Sequence, residues 1–209
     1  MTVLENISVN ITAACRIRHN KVIKNNTVVF EGRADDPDFL QSVYLNTGMN
    51  YPRFFKMDTL CKLGTLAADS LLKEADISQY QPEDVGIVLS NSNASIEADI
   101  KYFESSKTFP SPSLFVYTLP NIVIGEISIR YGCKGENAFF ISEKFNAQLL
   151  HFYVTELMQR QHIKACICGW AEVINDEFDA CFFLAERKNI GVNFTARLLD
   201  NYYYSETIN

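Results

Sequence analysis

The sequence has little glycine, proline and histidine, and these shortages exclude several kinds of protein. Its 209 residues include 9 glycines and 6 prolines, too few for a collagen-like, linker-rich or disordered chain. No stretch reaches the roughly 18 consecutive apolar residues of a membrane-spanning helix. The first residues, MTVLENISVNITAA, carry neither a positive segment nor a continuous apolar one, so no secretory signal is expected. The sequence therefore predicts a cytoplasmic protein without a membrane contact.

Blocks of like charge are also missing. The chain has 19 Lys and Arg against 25 Asp and Glu, a net charge of −6, and no basic cluster stands out. A nucleic-acid partner is not expected, because binding to phosphate backbones needs a concentrated positive surface. The length and the 47% share of hydrophobic residues are those of one ordinary globular domain with a sizeable core.

The six cysteines form no recognisable disulfide or metal pattern. A chain of this length without an export signal needs no disulfide framework. Cys166 and Cys168 would point to one face of a strand, as the start of a metal site would require. The three histidines, His19, His151 and His162, have no metal-ligand spacing. We therefore interpret the cysteines as buried apolar side chains, and we expect no metal and no cofactor.

Apolar periodicity predicts strands that alternate with helices. The predicted strands are residues 85–89, 138–142, 163–171 and 179–186, with a further strand or hairpin in 3–31 that turns at Asn25-Asn26. The predicted helices are residues 58–75, 95–104, 121–131 and 143–161. Residues 32–55 are predicted to be irregular, because Asp36-Pro37 and Tyr51-Pro52 interrupt the pattern. This order of elements is typical of an α/β domain with a mixed sheet flanked by helices.

Four stretches of the chain resemble the N-terminal half of β-ketoacyl synthases, the condensing enzymes of fatty-acid and polyketide synthesis. They are KMDTLCKL at 56–63, VGIVLSN at 85–91, LPNIVIGEISIRYGCKG at 119–135 and CGWAEV at 168–173. The third is the most specific, because its order, its spacing and its G-x-K-G turn all agree with the family. The resemblance implies a thiolase-like fold. Residues 1–190 are expected to form a ketosynthase N-terminal-like domain, and 191–209 a C-terminal tail that contains the Tyr202–Tyr204 cluster.

The resemblance also implies where the cysteine nucleophile of working ketosynthases would lie, at the end of a strand and the start of a long helix. Counted from the G-x-K-G turn, the position falls on Lys144, or on Phe145 with a slip of one residue. Neither residue is a thiol. The chain ends at Asn209, where the second half of the family, with its two histidines, would begin. We therefore expect no condensing activity from this chain.

Two other nucleophiles near this position are open from the residues alone. Lys144 would need desolvation without a counter-charge to lower its pKa, and the neighbouring Glu143 favours an ordinary exposed pair. Ser142 would need a base, and His151 lies about two turns along the predicted helix. A small acyl-handling enzyme that uses Ser142 or a cysteine therefore stays an alternative, although no nucleophile and base pair is evident.

Two polar segments have both a functional and a plain structural interpretation. The acidic residues between the last two predicted strands could form a carboxylate pair or a cation site, but an exposed connecting loop explains them more simply: Glu172, Asp176, Glu177 and Asp179. The polar stretch with Asn91, Asn93 and Ser95 has no glycine-rich phosphate cradle and predicts a helix cap.

A chain that matches one half of a ketosynthase without its cysteine resembles the chain-length-factor partners of type II polyketide systems. It is similar in particular to the truncated ketosynthase-like subunits of aryl polyene and flexirubin-type pigment pathways. This implies a noncatalytic subunit that forms a heterodimer with a full-length β-ketoacyl-ACP synthase, with an acyl carrier protein as a further candidate partner. A homodimer is expected when the chain is alone, and a self-associating remnant without an acyl role is the alternative.

The resemblance implies two contact sites for this partner. In the family, the strand before the cysteine pairs across the two-fold axis, so the expected dimer edge consists of Ala138, Phe139, Phe140, Ile141 and Ser142. The segment 113–118 resembles the loop that lines the acyl tunnel of the partner. Its bulky residues are expected to set the tunnel depth, and the expected wall consists of Ser113, Leu114, Phe115 and Tyr117.

Overall fold

The computed structural model describes residues 8–33, 38–73, 75–175 and 177–205. Its strands are β1 Asn10–Arg18, β2 Lys21–Lys24, β3 Thr27–Glu31, β4 Val85–Asn91, β5 Asn137–Ile141, β6 Ala165–Ile174, β7 Glu177–Glu186 and β8 Val192–Asn193. Its helices are α1 Phe39–Thr47, α2 Thr59–Leu72, α3 Ile96–Ser106, α4 Pro112–Phe115, α5 Ile122–Tyr131, α6 Ala147–Gln159 and α7 Ala196–Tyr204. No helix within these residues is long and apolar enough to cross a membrane.

The strands form one mixed sheet in the order β3-β2-β1-β7-β6-β4-β5, and β8 pairs with the start of β1. β4 is parallel to both β5 and β6, and the other pairs are antiparallel. β5 therefore lies at one edge of the sheet and β3 at the other. Helices cover both faces, because one buried cluster includes residues of α1, α2 and α5 and the other includes residues of α6 and α7. The predicted α/β class with a flanked mixed sheet is confirmed.

Two tight turns connect the first three strands. His19 and Asn20 join β1 to β2, and Asn25 and Asn26 join β2 to β3; all four residues have positive φ, between 47° and 67°. Two-residue turns of this kind match the twist of antiparallel strands, and asparagine tolerates them well. The predicted hairpin turn at Asn25-Asn26 is confirmed.

The expectation of an irregular segment at 32–55 is wrong from Phe39 onward. α1 forms there because Phe39, Leu40, Val43 and Tyr44 share one face and are buried, and Gly48, at a φ of 68°, ends the helix in the left-handed conformation. The prolines of this segment limit where a helix can start, but they do not exclude a helix in the residues between them. Asp36-Pro37 lies outside the described residues.

Three further predicted boundaries, at the start of α6, the end of β6 and the start of β7, are also wrong. α6 begins at Ala147 rather than at residue 143, so the stretch before it is a turn. β6 and β7 extend to Ile174 and Glu177, so Glu172 pairs with Asp179 inside the sheet instead of lying in an exposed loop. Asp176 lies outside the described residues.

The residues expected to form a C-terminal tail pack onto the sheet as far as they are described. Leu199 of α7 is fully buried and Tyr203 nearly so. Two arginines of β1 hold the end of the helix, because Arg16 donates to the carbonyl of Tyr202 at 2.8 Å and Arg18 to that of Tyr203 at 3.0 Å. Cations placed at the last carbonyls of a helix satisfy acceptors that have no partner in the helix itself.

Candidate functional site

The nucleophile position implied by the resemblance lies in the turn between β5 and α6. The N–H of Ser142 donates to the carbonyl of Asn91 at the end of the neighbouring strand, at 2.9 Å. Asn146 caps α6, since its side-chain oxygen accepts a hydrogen bond from the N–H of Leu149 at 2.9 Å. The strand, turn and helix that would present a nucleophile are therefore in place.

Phe145 occupies the inner side of this turn. Its side chain is 3% exposed, stacks on the ring of Tyr203 with centroids 4.2 Å apart, and meets Trp170 edge-on at 6.4 Å. Lys144 is exposed and borders a surface hollow of about 430 Å³. Of the two residues at which the resemblance places the nucleophile, Phe145 is thus an apolar ring of the core and Lys144 faces solvent.

The structure does not support the two alternative nucleophiles near this turn. Lys144 is exposed, so it lacks the desolvated environment that a lysine nucleophile needs. His151 stacks on Phe194 at 5.8 Å. Within the described residues, no hydrogen bond joins Ser142 to His151, so the suggested nucleophile and base are not brought together.

The cysteines are free and buried, as interpreted from the sequence. Cys166 and Cys168 both lie in the cluster under α6 and α7, on one face of β6. Burial raises the pKa of the Cys15 thiol to about 12 and that of Cys133 to about 11, so both thiols are protonated at neutral pH. In the described part of the chain, no group of three or more His, Cys, Asp or Glu side chains is placed to hold a metal ion.

The acidic residues of the last hairpin have structural partners. Glu172 is 8% exposed, and its Oε2 accepts hydrogen bonds from the N–H and hydroxyl of Ser92, at 2.7 and 2.5 Å, and from the N–H of Asn93 at 3.3 Å. Asp179 binds Arg18 at 2.7 Å and accepts the hydroxyl proton of Tyr203 at 2.6 Å. The exposed-loop interpretation is therefore wrong for both residues.

The polar loop after β4 is held by Asn91 as well as by Glu172. The Asn91 side chain accepts from the N–H of Ala94 at 3.0 Å and donates to its carbonyl at 2.8 Å. Ser95 precedes α3, but its hydroxyl donates to Asp99 and makes no capping bond. Ser95 therefore holds the N-cap position of α3 without a side-chain capping bond, and the loop before it is closed on itself at the carboxyl ends of β4 and β6.

The expected dimer edge is an open edge of the sheet in the described residues. β5 pairs on one side with β4, where Ile87 donates to the carbonyl of Glu136 and Ser142 to that of Asn91. Successive residues of a strand point their backbone N–H and C=O groups to alternate sides. Since Glu136 and Ser142 bond to β4, the backbone groups of Asn137, Phe139 and Ile141 point away from it.

The side chains of β5 divide between the two faces of the sheet. Phe139 packs against the cluster under α2 and α5, whereas Phe140 lies against Tyr153 of α6 at 5.0 Å. Ile141 is 55% exposed. An edge strand with apolar side chains and unpaired backbone groups is a template for another strand.

Much of the exposed apolar surface belongs to α3 and the segment that follows it. The large apolar side chains exposed there are Ile96, Ile100, Phe103, Phe109, Phe115, Val116 and Leu119. We call these residues the α3–α4 surface. Exposed apolar side chains on neighbouring elements make this part of the chain a candidate interaction surface.

The structure places the residues of the expected tunnel wall at two different sites. Ser113, Leu114 and Tyr117 line a cavity of about 240 Å³ between α4, α3 and the start of α2. Phe115 does not line it; its ring lies 5.3 Å from that of Tyr102 on the α3–α4 surface. The Tyr117 hydroxyl donates to the carbonyl of Lys56 at 3.1 Å, which fixes its ring in the cavity wall.

Sequence reasoning missed the residues that complete this cavity. They come from α3, from the start of α2 and from the segment just before it, and they are Lys56, Met57, Asp58, Thr59, Lys62, Glu97, Ala98 and Lys101. Burial raises the pKa of Asp58, while Lys101 opposes this effect. Burial likewise raises the pKa of Tyr117 to about 12. The only signal in the sequence was the Asp58 helix cap, which says nothing about α3 or α4.

Solved structures similar to this chain include ketosynthases and chain length factors. The ishigamide ketosynthase/chain length factor is 19% identical with a TM-score of 0.60, over 89% of this chain and 64% of that chain. The AntDE:AntF complex, a type II acyl-carrier protein with its ketosynthase bound to the hexaketide, is 17% identical with a TM-score of 0.61, over 87% and 62%. The chain has a thiolase-like ketosynthase fold.

A third structure with the ketosynthase fold is a complex with a chain length factor. The ketosynthase ApeO in complex with its chain length factor ApeC, from Xenorhabdus doucetiae, matches at 12% identity and a TM-score of 0.56, over 88% of this chain and 80% of that chain. This chain spans less than two thirds of the length of the first two structures. No protein-family model and no curated protein sequence matches it.

Proposed function

We propose that this chain is a noncatalytic ketosynthase-like subunit that pairs in the cytoplasm with an active β-ketoacyl-ACP synthase. The pathway we propose is polyketide or fatty-acid-type synthesis of a pigment of the aryl polyene or flexirubin kind. The observation that carries the proposal is Phe145, an apolar ring packed between Tyr203 and Trp170 in the turn where the resemblance places the thiol of working ketosynthases, at Lys144 or, with a slip of one residue, at Phe145. A core phenylalanine cannot attack an acyl thioester.

The pairing surface we propose is the open edge of β5 together with the α3–α4 surface. β5 offers the backbone groups of Asn137, Phe139 and Ile141 to an antiparallel strand of the partner. Burial of the α3–α4 surface against the partner would stabilise the complex, since apolar area removed from water contributes about 25 cal/mol per Å². Three of the similar structures contain ketosynthases with chain length factors or with an acyl-carrier protein, and we propose partners of both kinds for this chain.

The acyl role we propose depends on the cavity beside α4. Ser113, Leu114 and Tyr117 line it, so a chain that grows on the partner would be stopped or guided there. Tyr117→Ala is expected to lengthen the products of a reconstituted complex by about one or two two-carbon units, because a packed wall admits no extra atoms without strain. Product masses before and after the substitution measure this.

The matched control for the cavity role is Phe115→Ala. Its ring lies outside the cavity, on Tyr102, so this substitution is expected to weaken pairing and to leave product length unchanged. If Tyr117→Ala leaves all product masses unaltered in an intact complex, the cavity does not limit the chain, and the subunit only stabilises its partner.

A direct test of the noncatalytic role uses the purified chain alone with acyl- and malonyl-carrier proteins. No decarboxylative condensation above a blank is expected, and Lys144→Cys is not expected to start it, because the position is exposed and the negative charge of the neighbouring Glu143 disfavours a thiolate. Robust turnover by the chain alone would contradict the proposal.

Self-association is the second candidate function, and the symmetry of the β5 edge favours it. The outward groups of Asn137 and Ile141 lie at equal distances along the strand from Phe139, so two copies can pair antiparallel about Phe139. A homodimer that persists when an active ketosynthase is supplied in excess would support this candidate over the heterodimer.

A further inference from the structure

The cavity beside α4 is lined by charge as well as by apolar groups. Met57, Ala98, Leu114 and the ring of Tyr117 give it apolar walls. Its charged lining residues are Lys56, Asp58, Lys62, Glu97 and Lys101. A purely steric stop for a methyl-ended chain has no use for five charged side chains.

The two carboxylates of this cavity are already bound by backbone donors. Asp58 caps α2 and accepts a hydrogen bond from the N–H of Cys61 at 3.0 Å. Glu97 accepts one from the N–H of Asn175 at 2.8 Å. Hydrogen bonds from backbone N–H groups stabilise a carboxylate, so each acid has a contact partner other than the lysines, and Lys101 acts on Asp58 only from beyond contact distance.

The three lysines have no acidic partner in hydrogen-bond or ion-pair contact among the described residues. Lys62 lies over the ring of Phe54, with its nitrogen 5.8 Å from the centroid. Lys101 is close enough to Asp58 to affect its pKa but does not bind it. Lys56 is exposed at the mouth. Three ammonium groups against two engaged carboxylates give the lining an excess of positive charge.

The size of the cavity limits what it can hold. An apolar cavity of about 150 Å³ accommodates benzene, and this one measures about 240 Å³. A six-membered ring with one substituent, or a short alkyl segment with a polar end, fits that space.

We infer that the cavity binds the anionic end of its ligand, a carboxylate on a group no larger than a substituted six-membered ring. The apolar walls take the ring or alkyl part, and the lysines at the mouth take the carboxylate. That the ligand is the far end of an acyl chain rests on the proposed function. The binding itself is a property of this chain alone.

The test is a titration of the purified chain with benzoate and with benzyl alcohol, followed by NMR chemical shifts. Benzoate is expected to bind more tightly, because the two probes share a ring and differ in charge. Lys62→Met and Lys101→Met are each expected to weaken benzoate binding about threefold, and the double variant about tenfold, as for exposed ion pairs. Raising the ionic strength from about 50 mM to about 500 mM should weaken the binding of benzoate and leave the binding of benzyl alcohol unchanged.

Two variants serve as controls. Lys107→Met removes a lysine of the segment just after α3 that binds Glu104 at 2.6 Å and does not line the cavity, so benzoate affinity should not change. Ala98→Phe places a ring in the cavity and should abolish binding of both probes. If this variant does not fold, Leu114→Trp fills the same space from α4.

Several results would overturn the inference. The inference is wrong if benzoate does not bind, or if benzyl alcohol binds as tightly as benzoate. It is also wrong if Lys107→Met and Lys101→Met weaken benzoate binding equally. Failure of the chain to pair with a ketosynthase would contradict the proposed function and leave benzoate binding intact. Loss of benzoate selectivity in a chain that still pairs would contradict this inference alone.

Discussion

Phe145 and Lys144 stand next to each other in the turn before α6, and their environments are opposite. Phe145 is buried between two aromatic rings, whereas Lys144 faces solvent. The turn is therefore part of the core at Phe145, and α7 packs directly against it through Tyr203.

Phe145→Ala is expected to lower the free energy of unfolding by about 3–5 kcal/mol, the usual cost of a large cavity at a buried aromatic position. Lys144→Ala is its control and should stay within about 0.5 kcal/mol of the parent. Chemical denaturation of both variants measures the difference. Equal and small effects would show that Phe145 is not a core residue.

Cys15 makes stability sensitive to alkaline pH. Its thiol pKa is about 12 in the folded chain against an ordinary value of 9.0, so above pH 9 the unfolded state releases this proton first. The folded state then binds more protons, and stability falls as pH rises from 9 toward 12. Cys15→Ala should make this fall shallower by up to about 1.4 kcal/mol per pH unit. Parallel stability curves for the parent and Cys15→Ala would contradict the assignment.

At the scale of the elements, the sequence predicts what depends on local pattern and misses what depends on pairing. The Asp58 cap and the apolar spacing after it locate the start of α2 correctly, because both signals lie within a few residues. The pattern predicts an end of β6 at residue 171, before its observed end at Ile174. A charged residue such as Glu172 is typical of an exposed position, and here it is buried because it bonds to Ser92 and Asn93. The cavity beside α4 joins three elements that no local pattern connects.

Ile141→Pro tests the open edge of β5 as an element. The N–H of Ile141 points away from β4, so proline at this edge position removes no hydrogen bond within the chain but removes one to a partner strand. Pairing should weaken while the stability of the unpaired chain changes little. Ile141→Ala, which shortens the side chain and keeps the N–H, is the control. Analytical ultracentrifugation compares the two, and equal dimer affinities would exclude strand pairing at this residue.

At the scale of the whole molecule, the sheet is covered on both faces, and α7 completes the second face. Arg16 and Arg18 tie its last carbonyls to β1, while Leu199 and Tyr203 close the cluster over the sheet. The resemblance could not foresee this helix, because the match ends before it and the Tyr202–Tyr204 cluster carries no pattern of its own.

Leu199→Ala is expected to destabilise the entire fold by about 2–5 kcal/mol. Leu198 is its matched control, since it is the same residue type one position earlier and is 36% exposed; Leu198→Ala should cost less than about 1 kcal/mol. Fluorescence of Trp170, the single tryptophan, follows global unfolding from the centre of the sheet. An unchanged midpoint in Leu199→Ala would mean that α7 is an independent appendage.

The central claim is that this chain pairs through β5 with an active ketosynthase. It is tested most directly by native mass spectrometry of the chain co-expressed with a ketosynthase from its own genome. A 1:1 complex is expected for the parent and for Ile141→Ala, and a large loss of that complex for Ile141→Pro. Recovery of this chain as a free monomer beside a ketosynthase homodimer would contradict the claim.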